Sequence, residues 1–415
     1  MGCCLFAIMS IKPGTKTSAA VGFIFVSIFI DVMGLCIIIP VIPKLVEQLG
    51  HADIAVASEI TGWLTFTYAL MQLFFSPILG NLSDRFGRRP ILLISLFGFS
   101  IDYLFMAFAP SIFWLFVGRT IAGITGATMA TGSAYIADVS EGDKRSANFG
   151  LIGAASGLGF IIGISSGAFL GELNIKFPFI AAAAAALLNA LWGLFVLPES
   201  LDAEHRRKFE WKRANPIGSM QNLRKYASLA WLAVAFTLVY IAQKAVEYQL
   251  PFYVYEKFNW SMHSVGILGI FIGVLLISIQ GGLIRFLIPK FGLKNNIIWG
   301  LLFYGLGLTL IAFASYGWQV YVYMIPYCLG GVSGPALQSM ITSKFEKNEQ
   351  GELQGGLNLL SSLSLIFGPL IMGYTFKSFA HRGSPIYFPG APYILGALLV
   401  FISTIIVIKS LKKLR

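Results

Sequence analysis

The chain has 415 residues, of which 56% are hydrophobic and only 12% are charged. Soluble domains carry about 25% charged residues, so this composition excludes a soluble globular protein. The formal net charge of +11 could indicate a nucleic-acid partner, but the basic residues separate by predicted membrane side, which excludes that partner.

Apolar stretches of about 20 residues, each long enough to cross a bilayer core of roughly 30 Å, recur along the whole chain. They predict twelve membrane-spanning helices, called spans 1 to 12, at residues 19–42, 60–80, 90–109, 111–137, 147–171, 177–197, 227–254, 263–284, 296–315, 318–342, 353–376 and 391–409. We therefore predict an all-α integral membrane protein embedded in the lipid bilayer. Its parts are a cytoplasmic leader (1–18), a six-helix bundle (19–198), a basic cytoplasmic linker (199–226), a second six-helix bundle (227–410) and a cytoplasmic tail (411–415).

Span 1 contains a carboxylate, Asp31, that lies thirteen residues before the exit of the span near Pro43. At about 1.5 Å per helical residue, Asp31 lies near the middle of the bilayer. An ionisable group at that depth is unfavourable by roughly 3 kcal/mol or more, and nothing in span 1 neutralises it. A buried carboxylate can exchange a proton near neutral pH, so Asp31 is a candidate for proton coupling.

The segment Gly80-Asn-Leu-Ser-Asp84-Arg85-Phe86-Gly87-Arg88-Arg89 connects spans 2 and 3. Such a charge-dense turn must emerge into water, and its three arginines mark the cytoplasmic side. On that topology the predicted outer loops carry few basic residues, namely Lys44, Lys176, Lys257, Lys377 and Arg382. The asymmetry predicts that both chain termini lie in the cytoplasm.

Spans 3 and 4 each contain one charged residue. Asp102 lies eight residues before the predicted turn at Pro110, and Arg119 lies nine residues after it. Both therefore lie about 12–14 Å below the outer surface, where an antiparallel pair can meet. Their pairing has either a structural role alone or a role in transport.

Span 5 carries glycines at four-residue intervals, Gly159, Gly163, Gly167 and Gly171. Small residues on one helix face allow a second helix to approach closely. We expect tight packing on this face, a surface that slides during a conformational change, or both.

The two halves of the chain are similar in sequence. Pro289-Lys290-Phe291-Gly292, before span 9, corresponds to the turn before span 3, and Gly331-Val-Ser-Gly334 in span 10 follows Gly123-Ile-Thr-Gly126 in span 4 by 208 residues. Such parallel repeats are typical of membrane transporters. The linker between the halves is predicted to be solvated, with an interfacial helix.

Span 7 carries Lys244 and Glu247, which share one helix face. Their predicted depth matches that of Asp31. These two residues either form a structural ion pair or, together with Asp31, Asp102 and Arg119, line a path for substrate and protons.

These motifs resemble the tetracycline/proton antiporter branch of the drug:proton antiporters within the major facilitator superfamily. The resemblance covers nearly the whole chain. It rests on Gly80–Arg89, on Arg119-x-x-x-Gly123, and on three further runs: Phe29-Ile30-Asp31-Val32-Met33-Gly34, Ile101-Asp102-Tyr103-Leu104 and Gly334-Pro335-Ala336-Leu337-Gln338.

The resemblance implies roles for individual residues. The loop that contains Gly80, Asp84, Arg85, Gly87, Arg88 and Arg89 is expected to lock the outward-open state on the cytoplasmic side, with Asp138 as partner for an arginine. Asp31 and Asp102 are expected to line the path of substrate and proton, and Arg119 to take part in proton coupling.

The chain also departs from the family. Its span 5 motif has Ile164 in place of a proline and Ala168 in place of a final glycine, while Ile277 and Tyr304 stand where tetracycline antiporters have a histidine and an aspartate. We therefore expect a substrate other than tetracycline itself, with an anionic or zwitterionic group facing Lys244.

The sequence thus predicts a secondary active transporter that exports a small organic molecule by alternating access, coupled to protons. It is expected to act as a monomer in the inner membrane of a bacterium, with no cofactor and no metal. Uptake of a nutrient or metal chelate by symport is the alternative, which the missing proline keeps open. The protein is not expected to be an enzyme, since it lacks a Gly-x-Ser-x-Gly elbow and a phosphate-binding loop. A receptor would need a sensory domain, for which the loops leave no room.

Overall fold

The computed structural model describes residues 16–140, 142–202, 204, 206–211, 227–342, 350–381 and 383–413. Most of the predicted leader, the end of the tail and residues 212–226 of the linker lie outside this description. Within the described ranges the regular structure is helical, without strands.

The first half contains six long helical units and one short helix. They are Lys16–Ile38 (span 1), the short helix Ile42–Gly50, Ile54–Phe86 (span 2), Arg88–Phe108 (span 3), Ile112–Thr125 with Thr128–Val139 (span 4), Gly142–Leu173 (span 5) and Phe177–Val196 (span 6).

The second half repeats this plan. Its helices are Ala227–Phe258 (span 7), Met262–Ile277 extended by the π-helical turn Ser278–Leu283 (span 8), Ile284–Ala312 (which contains span 9), Gly317–Gly330 with Ser333–Thr342 (span 10), Gln350–Ala380 (span 11) and Ala391–Lys413 (span 12). The chain reverses between spans 8 and 9 at Gly292, whose φ of 74° suits glycine.

Eleven of the described helices are long and apolar enough to cross a membrane. Span 7 carries Gln243, Lys244 and Glu247 in its middle. It is nevertheless a 32-residue helix and packs along spans 11 and 12. The architecture confirms the predicted all-α membrane fold of two six-helix bundles.

Three predicted spans differ from the observed helices in ways that follow from their sequences. Span 1 ends at Ile38, four residues early, because Pro40 cannot continue the hydrogen-bonded helix. Span 4 is interrupted at residues 126–127, and span 10 is interrupted at residues 331–332. Both interruptions include a glycine of the repeated Gly-x-x-Gly motif, Gly126 in span 4 and Gly331 in span 10, so each half contains a broken helix.

The two halves meet through two helix pairs, span 2 with span 11 and span 5 with span 8. Both contacts lie at the outer ends of the helices. A Cβ added at Gly62 of span 2 would lie 3.1 Å from the carbonyl oxygen of Pro369, and one added at Gly269 of span 8 would lie 2.3 Å from Ile164 Cγ2. In addition, Tyr255 Oη donates to the carbonyl of Pro40 at 2.7 Å. The outer side is therefore sealed.

The same helices separate toward the cytoplasm. Gly150 and Gly153 of span 5 and Gly281 of span 8 have no atom within 4 Å of an added Cβ beyond their own helical surroundings. A gap of about 240 Å³ lies between the cytoplasmic halves of spans 2 and 11, where it is lined by Ser76 and Asn358. Within the described ranges, the two halves are therefore closed toward the outside and open toward the cytoplasm.

Candidate functional site

A central cavity with two lobes lies between the halves. The N-terminal lobe has a volume of about 380 Å³ and the C-terminal lobe a volume of about 390 Å³. Ile39, Phe160 and Glu247 line both lobes, which therefore meet at these side chains. Each lobe falls within the size range of small-molecule sites.

Asp31 lines the N-terminal lobe. Its side chain is buried, and among the residues that the structure describes its Oδ1 atom has no hydrogen-bond partner. Burying a charged or polar atom without a partner is unfavourable, so this carboxylate needs a proton or a cation. Gln72 and Tyr68 line the same lobe and hydrogen-bond to each other at 3.0 Å.

Asp102 and Arg119 form a buried ion pair, as their matched depths predict. The guanidinium donates through Nε to Asp102 Oδ1 at 3.2 Å and through Nη2 to Oδ2. Its plane also lies 5.5 Å from the ring centre of Tyr68. Arg119 lines the N-terminal lobe, whereas Asp102 is fully buried behind it. Asp102 thus neutralises Arg119 and leaves Asp31 as the unpaired carboxylate of this lobe.

Lys244 and Glu247 also pair with each other. Lys244 Nζ donates to Glu247 Oε2, and Gln243 Nε2 donates to Glu247 Oε1 at 2.5 Å. Glu247 lines both lobes, but Lys244 lines neither and packs its aliphatic chain against Gly368 of span 11. The amine therefore compensates Glu247 and is not presented to the cavity.

The C-terminal lobe has an aromatic wall. Tyr304 of span 9 and Tyr327 of span 10 stack with their ring centres 4.8 Å apart at 26°, and Tyr304 Oη donates to Tyr327 Oη at 3.3 Å. Gln280 lines this lobe from the π-helical turn of span 8. Its side chain is exposed and has no hydrogen-bond partner among the residues that the structure describes.

The 208-residue offset of the repeat relates the two lobes. It places Gln280 at the position of Gln72 and Tyr327 at the position of Arg119. In the first half, Gln72 Nε2 donates to the carbonyl of Gly126 at the break of span 4 at 3.3 Å. In the second half, Gln280 approaches the break of span 10 at Gly331. The sequence analysis missed both glutamines and Tyr327, although extending the offset would have found them.

The cytoplasmic loop motif forms one network. Arg88 Nη1 donates to Asp84 Oδ1 at 2.5 Å and to Ser83 Oγ at 2.6 Å, and its Nε donates to Asp138 Oδ2 at 3.2 Å. Arg89 Nη2 donates to the carbonyl of Leu194 at 2.5 Å. Arg85 is exposed and lies over the ring of Phe86, and the space around Gly80 is open.

A carboxylate from the linker completes the network. Glu199 accepts hydrogen bonds from the backbone N–H groups of Arg88 at 2.7 Å and Arg89 at 3.2 Å, which are orphan donors at the start of span 3. The carboxylate fits because Gly87, with a φ of 106°, has no side chain; a Cβ there would lie 2.2 Å from Glu199 Oε2. The backbone N–H of Arg207 donates to the carbonyl of Asp84 at 3.0 Å. The first part of the linker is thus attached to the first half.

Three glycines of the span 5 ladder pack within the first half, while the fourth, Gly171, also reaches span 8. Cβ atoms added at Gly159, Gly163 and Gly167 would lie 2.8, 2.5 and 2.3 Å from backbone carbonyls of span 1, and Gly171 contacts Met262 and Val41. The contact between the halves is instead made by a second ladder, in span 8. Gly266, Gly269 and Gly273 pack there against the side chains of Ala168, Ile164 and Ile161.

A two-bundle helical membrane protein that is sealed on one side, and that holds ionisable groups in a cavity open to the other side, belongs to the class of secondary transporters. Comparison with known proteins agrees with this class. Residues 24–334 and 282–411 match the model of the Major Facilitator Superfamily. The chain belongs to the Major Facilitator Superfamily.

Similar proteins cover the chain almost completely. Tetracycline resistance protein, class C, of Escherichia coli is 37% identical over 387 residues, which span 93% of this chain and 96% of that protein. Tetracycline resistance protein, class G, of Vibrio anguillarum is 36% identical over 390 residues, with the same coverage. Multidrug resistance protein 2 of Bacillus subtilis is 27% identical over 376 residues, covering 89% of this chain and 91% of that one.

Solved structures share the fold. A D-xylose-proton symporter superposes with a TM-score of 0.72 at 17% identity, covering 94% of this chain and 96% of that one. The human organic anion transporter MFSD10 superposes with a TM-score of 0.70 at 20% identity, covering 95% and 100%. The protein is thus an integral membrane secondary transporter. Its sequence relatives support the predicted proton-coupled efflux and do not favour the uptake alternative.

Proposed function

We propose that this protein exports a small amphiphilic organic compound carrying a basic group, in exchange for protons, with Asp31 as the exchange site. The observation that carries the proposal is the unpaired Oδ1 atom of Asp31 in a cavity open to the cytoplasm. The other charged groups at the cavity, Arg119 and Glu247, are already paired. Asp31 is therefore the group to which a cation or a proton binds.

The exchange follows from the charge of this carboxylate. A protonated Asp31 is neutral and does not attract a cation. An ionised Asp31 in a low-dielectric cavity is unfavourable until a cation or a proton neutralises it. A cationic substrate that arrives from the cytoplasm displaces the proton toward the cytoplasm. After the cavity opens outward, a proton from outside displaces the substrate. One proton moves in for each monovalent cation that leaves.

The conformational change would use the contacts at the two membrane faces. Closing the cytoplasmic side requires spans 5 and 8 to approach each other on the cytoplasmic side of the glycine ladder of span 8. The loop motif, with Gly80, Asp84, Arg85, Gly87, Arg88, Arg89 and Asp138, is proposed to hold the cytoplasmic ends in the closed position. The ladder Gly159, Gly163, Gly167 and Gly171 keeps spans 1 and 5 together as the half rotates.

The relatives' names make tetracycline the first compound to test. The two residues that replace the histidine and the aspartate of tetracycline antiporters lie in different surroundings. Ile277 is 54% exposed and lines neither lobe, whereas Tyr304 lines the C-terminal lobe. The hypothesis that the preferred substrate differs from tetracycline therefore rests on Tyr304. Because Lys244 pairs with Glu247, the geometry does not support a substrate anion at that amine.

The bacterial origin of the two tetracycline resistance proteins supports location in a bacterial inner membrane. Because both lobes are formed by a single chain, we propose that the monomer is the transport unit. The proposed boundaries of its parts are residues 19–198 and 227–410 for the bundles and 199–226 for the linker.

The test uses inverted inner-membrane vesicles with a respiration-driven pH gradient. Addition of tetracycline with magnesium, or of other basic amphiphiles, is expected to collapse the gradient in vesicles with the native protein. The variant Asp31→Asn should give no collapse, whereas Asp202→Asn, which alters an exposed linker carboxylate, should behave as the native protein. Full activity of Asp31→Asn would reject the proposal. Accumulation of a compound in right-side-out vesicles would instead support uptake.

A further inference from the structure

The two lobes of the cavity have different chemistry at positions that the repeat makes equivalent. Arg119 in the N-terminal lobe pairs with Asp102 of span 3, and Tyr327, 208 residues later, pairs with Tyr304 of span 9. Both contacts join the third and fourth helices of their half. An ion pair in one half is thus matched by a neutral aromatic pair in the other.

We propose that the C-terminal lobe is a separate subsite for a planar aromatic ring system, which stacks on Tyr304 and Tyr327 and hydrogen-bonds through its edge to Gln280. This inference rests on the proposed function, because it divides one substrate between two lobes. The basic group binds at Asp31 in the N-terminal lobe, and the ring system extends past Glu247 into the C-terminal lobe.

The shape of the lobe fits a flat ligand. The two tyrosine rings stack on each other at 26°, so a planar ligand would extend this stack from the ring face that lines the lobe. Their hydroxyls are directed to each other, so the rings are held in place before a ligand arrives. The other side chains at the lobe include Val265, Leu268 and Ile272, which provide an apolar opposite wall. Aromatic rings bind such surfaces by offset stacking.

Gln280 supplies the polar contact. Its equivalent, Gln72, is bonded to Tyr68 and to the broken span 4, whereas the amide of Gln280 is without a partner in the described chain. The π-helical turn Ser278–Leu283 sets this residue apart from the regular register of span 8, and such turns are frequent at functional sites. A free amide offers both a donor and an acceptor to oxygen or nitrogen atoms at a ring edge.

Equilibrium binding to the purified full chain in detergent tests the subsite, because it requires no gradient. The probes are tetracycline, which is planar, and tetrabutylammonium, a cation without rings. Replacement Tyr327→Leu is expected to weaken tetracycline binding about tenfold, since stacking is lost, and to leave tetrabutylammonium binding unchanged. Tyr327→Phe keeps the ring and should stay within about twofold of native. Tyr323→Leu, on the same helix but outside both lobes, is the matched control.

Gln280→Ala provides a second measurement that does not depend on the fold of the leucine variant. It is expected to weaken tetracycline binding about fivefold, as loss of one neutral hydrogen bond does. Equal tetracycline affinities for native, Tyr327→Leu and Gln280→Ala would overturn the subsite while leaving proton exchange at Asp31 intact. If the native protein fails to collapse the pH gradient in the vesicle assay, the proposed function would instead be rejected. Equal weakening of both probes by Tyr327→Leu would also overturn the subsite, since it would show a general distortion of the cavity.

Discussion

The ammonium group of Lys377 in span 11 lies 2.6 Å from the carboxylate of Glu59 in span 2. Close by, His381 Nδ1 lies 2.5 Å from Asp53 Oδ2. Both contacts join the two halves at the outer surface, and both must separate before the cavity can open outward. We call Glu59–Lys377 and Asp53–His381 the outer ion pairs.

The first prediction concerns the balance between the two open states. Glu59→Gln should favour outward opening, because it removes one of the outer ion pairs. The Lys377 and Glu59 side chains are 37% and 22% exposed, so the pair is partly screened and the expected shift in population is only about two- to fivefold. The rate at which a membrane-impermeant thiol reagent modifies an engineered cysteine at Thr61, in the N-terminal lobe, reports the outward-open population.

The exchanged pair Glu59→Lys with Lys377→Glu is the control for this prediction. It should restore the native modification rate, and high salt should reduce the difference between the native protein and Glu59→Gln. A rate that does not respond to any of these changes would show that the pair does not contribute to closure.

The second prediction separates structural and transport roles of the buried ion pair. Asp102→Asn leaves the Arg119 charge buried without its partner, which should destabilise the protein by about 3–5 kcal/mol. The double variant Asp102→Asn, Arg119→Gln removes both charges and should recover most of that loss. Thermal unfolding in detergent measures the stability, and gradient collapse measures transport. A double variant that is stable but inactive assigns the pair a transport role, and one that is stable and active assigns it a structural role alone.

The third prediction concerns the glycine ladder. Gly163→Ala places a methyl group 2.5 Å from the backbone carbonyl of Met33, so spans 1 and 5 must separate. Overpacking of this kind typically destabilises by about 1–3 kcal/mol. Gly157→Ala in the same helix meets open space and should be neutral or slightly stabilising. A comparison of the two melting temperatures checks the prediction, and equal values would contradict it.

The fourth prediction concerns Glu199. Removal of its carboxylate in Glu199→Ala exposes the backbone N–H groups of Arg88 and Arg89, as loss of a helix cap does, and should destabilise the start of span 3 by about 1–2 kcal/mol. Faster hydrogen exchange at residues 87–89 is the expected observation. Glu204→Ala, at an exposed linker position, should leave the exchange unchanged. Unchanged exchange in Glu199→Ala would show that the other contacts of the loop are enough to hold it.

The sequence predicted those parts of the site that depend on depth and local pattern. Counting residues from the turn at Pro110 placed Asp102 and Arg119 at matching depths, and the structure pairs them. The recurring apolar stretches predicted the spans, and the similarity between the two halves of the sequence predicted two similar bundles. These features depend on helix geometry, which is the same in every span.

The direction in which side chains face could not be predicted in the same way. Lys244 and Glu247 share a helix face, yet Glu247 lines the cavity while the lysine turns toward Gly368. Likewise, the glycines of span 5 were identified, but their partner, span 1, depends on the arrangement of six helices. The span 8 glycines Gly266, Gly269 and Gly273 are recognisable only from the span 5 side chains that pack against them. Such contacts are set by tertiary packing.

The sealed outer surface has a pharmacological consequence. In this state the described helices close the cavity toward the outside, so a blocking compound aimed at the tyrosine wall would have to cross the cell envelope before it could bind. A compound confined to the outside would encounter the ends of spans 2 and 11 instead. Agents that hold those ends together would keep the carrier open to the cytoplasm and stop transport, without competing with its cargo.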